Sequence, residues 1–255
     1  MARVWRVIPG LLLIAAILGA LEYLVQAGVV RRSLLPPPSV IWAVLWDLLA
    51  SGAFVAPMLA TLGLFVSGYL IAVALGVALG VLMGASRFCS DLFEPLVESL
   101  RPMPKAALVP VLMLFLGLGF QMKLTSIALA SFFPILINTI QGVRGTDPVL
   151  VNTGRTFGRS RLSIVFWIIL PSALPYIVVG MRVALGLALL MTVLSEMLAG
   201  TGGLGGVLLE NQRAFRIRQM YAWLVILAAF GFSINLAMTW AERRFVPWLE
   251  KHREA

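Results

Sequence analysis

The most distinctive spacing of polar and turn-forming residues lies in a polar insert, residues 142–164, between two long apolar stretches. Gly158 can end a short helix in the left-handed conformation that other residues resist, and Ser160 can then cap a second helix that runs toward Pro171. Two short helices that meet at a glycine form a rigid knuckle that projects from the rest of the chain. The residues that define the pattern are Asn152, Thr153, Gly154, Arg155, Phe157, Gly158 and Arg159, followed by Ile168, Leu170 and Pro171.

Residues that carry covalent, metal or nucleotide chemistry are scarce elsewhere. A single cysteine, Cys89, excludes an intrachain disulfide, and the single histidine, His252, has no clustered metal ligands beside it. None of the three lysines, Lys105, Lys123 and Lys251, stands in the G-x4-G-K-[ST] pattern of a P-loop. We therefore expect no enzyme activity, metal or cofactor in this chain.

The composition indicates an integral membrane protein. Hydrophobic residues make up 60% of the 255 residues and charged residues 12%, with a mean hydropathy of +0.98. Soluble domains have about 25% charged residues, so this chain has too little polar surface to cover a water-soluble globule. The net charge of +9 is expected to orient loops and meet anionic headgroups of the lipid bilayer, and nucleic acid is not an expected partner.

Six apolar stretches predict six transmembrane helices in an all-α fold. The first also resembles a secretory signal, but its length of about 20 residues and the presence of Glu22 favour a retained helix. After it, the prolines at 36–38 form a stiff connector, and Ser39 is expected to cap an amphipathic helix over residues 40–50. The six predicted spans are residues 9–28, 58–83, 106–120, 124–141, 172–198 and 221–240.

Small residues recur at intervals of four in the second and fifth predicted spans. On a helix this interval forms one stripe, along which the backbone of another helix can approach closely. In the fifth span the stripe could pack within the subunit or at a dimer axis. The stripes consist of Gly68, Ala72, Gly76, Gly80 and Gly84, and of Gly180, Ala184 and Ala188.

The distribution of basic residues favours cytoplasmic positions for both termini. With that orientation 13 of the 20 lysines and arginines are cytoplasmic, six are external and Arg182 lies within the fifth span. The insert at 142–164 is then cytoplasmic, and the glycine-rich segment after Ala199 is external.

The insert resembles E-A-A-x3-G-x9-I-x-L-P, the signature of the inner-membrane permease subunits of ABC importers. Gly158, Ile168, Leu170 and Pro171 match it, whereas Asn152, Thr153 and Gly154 replace the E-A-A start. Five further segments resemble the nitrate, sulfonate and taurine type of permease. They are LLPPPSV at 34–40, LRPMPKAALVPVLMLFLGLG at 100–119, FFPILINTIQG at 132–142, LPSALPYIVVGMRVALGLAL at 170–189 and GGLGG at 202–206.

This resemblance implies the six-helix type I ABC importer transmembrane-domain fold and the translocation pathway for a small solute such as nitrate, a sulfonate or taurine. The implied partners are two copies of an ABC ATPase that holds ATP-Mg, a second permease copy in a homodimer, and a periplasmic solute-binding protein. The knuckle would dock on the ATPase in the bacterial inner membrane. The implied division is an N-terminal segment (1–33), a periplasmic connector (34–56), a core (57–248) with the coupling insert (142–168), and a tail (249–255).

Several alternatives stay open at this point. An ion-gradient-driven secondary transporter is the alternative function, and a membrane enzyme is disfavoured because no spaced nucleophile, base or ligand set is present. Glu196 and Asn138 are candidates for the pathway or a gate, but Glu196 could instead lie at the external interface and Asn138 could bond a neighbouring helix. Arg182 is expected to extend toward the cytoplasmic interface. Residues 242–254 are expected to form a solvated tail.

Overall fold

A computed structural model describes residues 8–200 and 202–245, and the regular structure in those two ranges is entirely helical. The predicted all-α fold class is therefore confirmed. The helices are α1 (Ile8–Gln26), α2 (Pro38–Ala50), α3 (Val55–Ala85), α4 (Arg87–Leu100), α5 (Val109–Leu116), α6 (Phe120–Arg144), α7 (Pro148–Thr156), α8 (Arg161–Ile164), α9 (Leu170–Ala199), α10 (Gly203–Arg213) and α11 (Ile217–Phe245). A short 3₁₀ turn, Lys105–Leu108, precedes α5, and a wide π turn, Val165–Ile169, joins α8 to α9.

Four helices of the described chain are long and apolar enough to cross a membrane, and a bent pair adds a fifth. The four are α3, α6, the continuous helix Arg161–Ala199 and α11, and they contain the predicted second, fourth, fifth and sixth spans. The third predicted span is the bent pair, α4 with Lys105–Leu116, which turns by 87°. The apolar part of α1, Leu12–Gln26, is shorter than a full span, so the predicted count of six is not confirmed.

The bend between α4 and α5 follows from the sequence of the connection. Pro102 and Pro104 cannot continue the α4 hydrogen-bond ladder. The ammonium of Lys105 donates to the carbonyls of Arg101 at 3.2 Å and Met103 at 2.9 Å, and so satisfies backbone acceptors at the end of α4. The sequence analysis predicted a span only for residues 106–120, and the structure pairs that apolar segment with α4 across the bend.

Helix α6 is the centre of the bundle, and α3 packs along one side of it. An added Cβ on the α3 glycines would fall within 3 Å of α6 side chains, for example 2.9 Å from Ile135 at Gly76 and 2.5 Å from Thr139 at Gly80. The absence of side chains on this stripe therefore sets the close approach of the two backbones. The other contacts of this kind join Gly68 to Ile127 and Gly84 to Val143.

Helix α9 packs along another side of α6. A Cβ at Gly180 would lie 2.8 Å from the Cβ of Asn138, and one at Gly142 would lie 2.8 Å from the Cβ of Tyr176. Ala184 and Ala188 are fully buried in the same core. The small residues of the fifth predicted span thus pack within the subunit.

The first turn of α2 is held by a residue from α1. The helix begins at Pro38 without a side-chain cap of its own, so the prediction that Ser39 caps it was wrong. Instead Glu22 accepts a hydrogen bond from the backbone N–H of Ser39 at 3.0 Å and another from its hydroxyl at 2.8 Å. A carboxylate is favourable at a helix N-terminus, and Glu22 in this way ties α1 to α2.

An ion pair joins α9 to α11. The guanidinium of Arg182 donates to both oxygens of Glu242, with Nε 2.8 Å from Oε1. Arg182 thus pairs with a carboxylate on the adjacent helix, and its extension toward the cytoplasmic interface stays a prediction. The prediction of a solvated tail was wrong at its first residue, since Glu242 lies within α11 and its side chain is only 10% exposed. The tail beyond residue 245 lies outside the described residues.

Candidate coupling elbow and polar cavity

The insert begins with a capped helix. Asp147 precedes α7, and its carboxylate accepts a hydrogen bond from the backbone N–H of Val149 at 2.8 Å. Pro148 occupies the first turn, where its missing N–H leaves no helical hydrogen bond unmade. These residues fix where α7 starts, shortly after α6 ends at Arg144.

Gly158 ends α7 in the conformation expected from the sequence. Its φ is +72°, and its N–H bonds to the carbonyl of Arg155 at 2.9 Å. The next N–H, that of Arg159, reaches back to the carbonyl of Gly154 at 3.1 Å. This pair of bonds is the Schellman motif, which satisfies the last carbonyls of a helix and requires a left-handed residue at its centre.

The second arm of the insert is longer than the sequence suggested. Ser160 caps it by accepting from the N–H of Ser163, as predicted. The helix then does not stop, because α8, the π turn and α9 form one 39-residue apolar helix, Arg161–Ala199. The π turn lies immediately before Leu170 and Pro171. Proline cannot donate to the preceding turn, and its ring crowds that turn, so a wider turn there lets the helix continue.

Gly154 and Ile168 bring the two arms together. A Cβ at Gly154 would lie 2.5 Å from Cδ1 of Ile168 and 3.4 Å from Cγ1 of Ile164. The position therefore favours a small residue, because a larger one would displace the end of the Ile168 side chain. This contact gives a physical reason for the spacing between the start of the motif and its isoleucine. We call α7, the Gly158 turn and residues 160–168 the elbow.

The elbow exposes large apolar side chains. Phe157 is 81% exposed at its tip, and Leu162 and Trp167 are 72% and 74% exposed on its second arm. A recess of about 640 Å³ between the arms is lined by Leu150, Thr153, Gly154, Phe157, Arg159, Ser163, Trp167 and Ile168. Exposed aromatic residues beside a recess are typical of a protein–protein contact surface.

The polar residues of the elbow interact locally. Asn152 is exposed, and its side-chain oxygen lies 3.5 Å from the guanidinium of Arg155. Arg159 donates to the hydroxyl of Ser163 at 3.1 Å. Thr153 bonds the carbonyl of Val149 within α7. The three positions that depart from E-A-A thus provide an exposed amide, an exposed hydroxyl and a glycine, but no carboxylate.

A polar cluster holds the other end of the bundle together. Glu196, 1% exposed near the end of α9, accepts from the hydroxyl of Thr61 at 2.9 Å and from the N–H of Gly205 at 2.9 Å. The Thr61 hydroxyl also accepts from the N–H of Leu204 at 2.8 Å. The first turn of α10 is therefore bound to α9 and α3 through two side chains. From the sequence, Glu196 was a candidate for a gate or for a position at the external interface. In the structure it lies in this buried cluster.

A cavity of about 500 Å³ adjoins the cluster. Its lining residues are Leu59, Ala60, Gly63, Leu64, Ser67, Leu118, Gly119, Phe120, Lys123, Glu196, Gly202 and Gly203. Lys123 is 9% exposed and lines this cavity together with Glu196. Sequence reasoning considered Lys123 only as a residue outside any P-loop. The missed signal is the position of this lysine in the first turn of an apolar helix. A charge there has a free-energy cost, so such a residue usually has a charged partner or lines a water-filled pathway.

Asn138 lies away from both sites. Its amide donates to the carbonyl of Pro134 at 2.8 Å in its own helix, and its Cβ faces Gly180 of α9. The expected hydrogen bond to a neighbouring helix is therefore replaced by one within α6. A metal site is not formed either, because within residues 8–200 and 202–245 no three His, Cys, Asp or Glu side chains are grouped closely enough to hold an ion.

Known proteins of one kind resemble this chain. The family described as "binding-protein-dependent transport system inner membrane component" matches residues 72–251. The putative aliphatic sulfonates transport permease protein SsuC of Bacillus subtilis is 30% identical over 239 residues, which cover 94% of this chain and 87% of that protein. The taurine transport system permease protein TauC of Escherichia coli is 29% identical over 206 residues, which cover 81% and 72% of the two chains.

The fold agrees with these relatives. A subunit of the MetNI methionine ABC transporter, solved in inward facing conformations, superposes with a TM-score of 0.62 at 19% identity, and the match covers 74% of this chain and 94% of that chain. The relatives give no support to an ion-gradient transporter or an enzyme, and in such systems the ATPase is a separate subunit that works with a binding protein. The chain thus belongs to the binding-protein-dependent transport system inner membrane component family, as the multi-pass inner-membrane permease subunit of an ABC importer.

Proposed function

We propose that this permease forms the translocation pathway for a small organic solute that carries a sulfonate group, of the sulfonate or taurine class. The observation that carries the substrate class is the similarity, at 29% and 30% identity, to permeases named for taurine and aliphatic sulfonates. Nitrate, a smaller anion with a single negative charge, is a further candidate solute. The subunit works as a homodimer, with two ATPase copies and one periplasmic binding protein.

The elbow is the surface that receives work from the ATPase. Phe157 is its exposed tip, and the arginines at 155, 159 and 161 surround that tip with positive charge that suits an acidic groove. The first arm of the elbow, α7, contains Asn152, Thr153 and Gly154. The second arm continues into the membrane through Ile168, Leu170 and Pro171. Because Arg161–Ala199 is one helix, a displacement of the elbow is delivered along its length to Glu196.

The orientation follows from the positive-inside bias. The elbow and both termini are cytoplasmic, and the turn at Gly200–Gly203 is periplasmic. α6 contains 25 residues, so at 1.5 Å per residue the elbow and the cavity are separated by about 37 Å. This length matches the thickness of a bilayer with part of its headgroup regions.

Reconstitution tests the function directly. The permease is assembled in proteoliposomes with its ATPase and binding protein, and uptake of labelled taurine and ethanesulfonate is measured with ATP, without ATP, and with an imposed ion gradient alone. We expect uptake only with ATP and binding protein. Uptake driven by the gradient alone would overturn the ABC mechanism, and ATP-driven uptake of uncharged solutes only would overturn the substrate class.

A further inference from the structure

We propose that Lys123 is the residue that contacts the anionic group of the solute as it passes the periplasmic end of the subunit. The inference rests on the proposed function and adds a specific residue and a specific chemistry to it. It starts from the cavity between α3, the first turn of α6, the end of α9 and the glycine turn before α10.

The charge of the cavity comes from two side chains. Among the described residues that line it, Lys123 and Glu196 are the ionisable ones, and they are 9% and 1% exposed. A charged group in an apolar bundle is expensive unless neighbouring groups compensate it. Two such groups of opposite charge therefore make this cavity a polar site within an otherwise apolar bundle.

Glu196 is already committed to the fold. The Thr61 hydroxyl lies within 3.1 Å of both its oxygens, and the N–H of Gly205 is 2.9 Å from Oε2. These donors and the N-terminus of α10 compensate much of the carboxylate charge. The carboxylate therefore positions the glycine turn, and it also stabilises a cation nearby.

Lys123 supplies the cation. Its ammonium group has three N–H donors, of which one is sufficient for an oxygen of a sulfonate or a similar anion. The remaining wall is largely apolar, with Leu59, Leu64, Leu118 and Phe120. One ammonium beside an apolar wall suits a small anion that has a short carbon chain, and the volume of about 500 Å³ is sufficient for such a solute.

The experiment compares four variants in the assembled transporter: Lys123→Gln, Lys123→Arg, the double variant Lys123→Gln with Glu196→Gln, and Lys105→Gln as a matched lysine control outside the cavity. Ethanesulfonate uptake is measured per ATP hydrolysed, so that only assembled complexes contribute. We expect Lys123→Gln to lower this ratio at least ten-fold and to raise the half-saturating concentration of loaded binding protein less than two-fold. Lys123→Arg should retain at least a third of the parental ratio, and Lys105→Gln should match the parent.

The double variant separates an anion contact from a structural counter-ion. If Lys123 only neutralises Glu196, removal of both charges restores transport, and that result would overturn the inference. Parental transport by Lys123→Gln alone would also overturn it while leaving the proposed function intact. If the unaltered transporter carries only uncharged solutes, both the proposed function and this inference fail.

Discussion

The carboxylate of Glu196 accepts a hydrogen bond from the backbone N–H of Gly205, nine residues further along the chain, at 2.9 Å. This contact folds the glycine-rich segment back on the end of α9, where a Cβ at Gly203 would collide with the same carboxylate. Gly203 and Gly205 are thus required by a close approach to a charged side chain. The segment around them is a packed structural element.

Gly205→Ala should destabilise the permease. The new Cβ would lie 2.5 Å from the backbone carbonyl of Val193 and 2.9 Å from the Cβ of Glu196, so the two helices must move apart. We expect a loss of about 1–3 kcal/mol, seen as a lower midpoint of thermal unfolding in detergent. Gly186→Ala is the control in α9, because its Cβ meets nothing within 4 Å and alanine favours the helix. A Gly205→Ala protein as stable as the control would contradict the packing described here.

Thr61→Val should weaken the same cluster without changing side-chain shape. The hydroxyl donates to Glu196 and accepts from the N–H of Leu204, so its removal leaves a buried amide and a buried carboxylate with fewer partners. An unsatisfied buried polar group costs about 1–3 kcal/mol. Thr61→Ser retains the hydroxyl and should lose much less, and equal unfolding midpoints for the two variants would show that the hydroxyl is unimportant.

Gly80→Ala should separate α3 from α6. A Cβ there would lie 2.5 Å from the Cβ of Thr139, a rigid β-branched residue, and 3.1 Å from the carbonyl of Leu136. We expect destabilisation by about 1–3 kcal/mol in the same unfolding assay. Gly63→Ala lies in the same helix with nothing within 4 Å of its Cβ, and it should be neutral or stabilising.

The sequence predicted much of the fold because its strongest signals are local. The apolar stretches form helices, and the left-handed glycine at 158 and the cap at Ser160 lie where their residue types predicted them. The third predicted span, residues 106–120, does not stand alone, because it is paired with α4 across a bend of 87° at Pro102 and Pro104. Sequence periodicity indicates the length of an apolar segment, whereas the direction of the chain after two prolines depends on tertiary contacts.

Contacts between distant residues could not be predicted in the same way. Glu22 bonds the start of α2, 17 residues away, and Arg182 pairs with Glu242, 60 residues away. Thr61 and Glu196 are separated by 135 residues. In each case a single sequence shows that a charge is expensive in an apolar helix, but only the packing of the bundle decides which partner compensates it.

The ion pair of Arg182 and Glu242 should stabilise the contact between α9 and α11. Its two hydrogen bonds form beside apolar helices, so removal of one partner leaves the other charge without its counterpart. The Arg182 side chain is 38% exposed, which reduces the effect by solvent screening. We expect Arg182→Gln and Glu242→Gln each to lower the unfolding midpoint, and the double variant to lose less than the sum. Strict additivity would mean that the pair contributes nothing.

Gly158→Val should uncouple the permease from its ATPase by changing the backbone conformation at residue 158. A Cβ at this position meets nothing within 4 Å, but φ is +72°, which a β-branched residue adopts only with strain of about 1–2 kcal/mol or more. The last turn of α7 must then rearrange, and Phe157 moves from its position at the tip of the elbow. Asparagine tolerates the left-handed region, so Gly158→Asn is the matched control.

The two Gly158 variants should differ in ATPase copurification and in ATP-driven uptake, while the unfolding midpoint of the bundle stays similar. That combination follows from the position of the elbow, which lies outside the α3–α6–α9 core but is continuous with α9. If the elbow is the ATPase contact proposed above, a bulky residue at 158 alters that contact and leaves the helix Arg161–Ala199 intact. If Gly158→Val bound the ATPase and transported solute as well as Gly158→Asn, the elbow would not be the coupling element, and the continuous helix from Arg161 to Glu196 would need a different explanation.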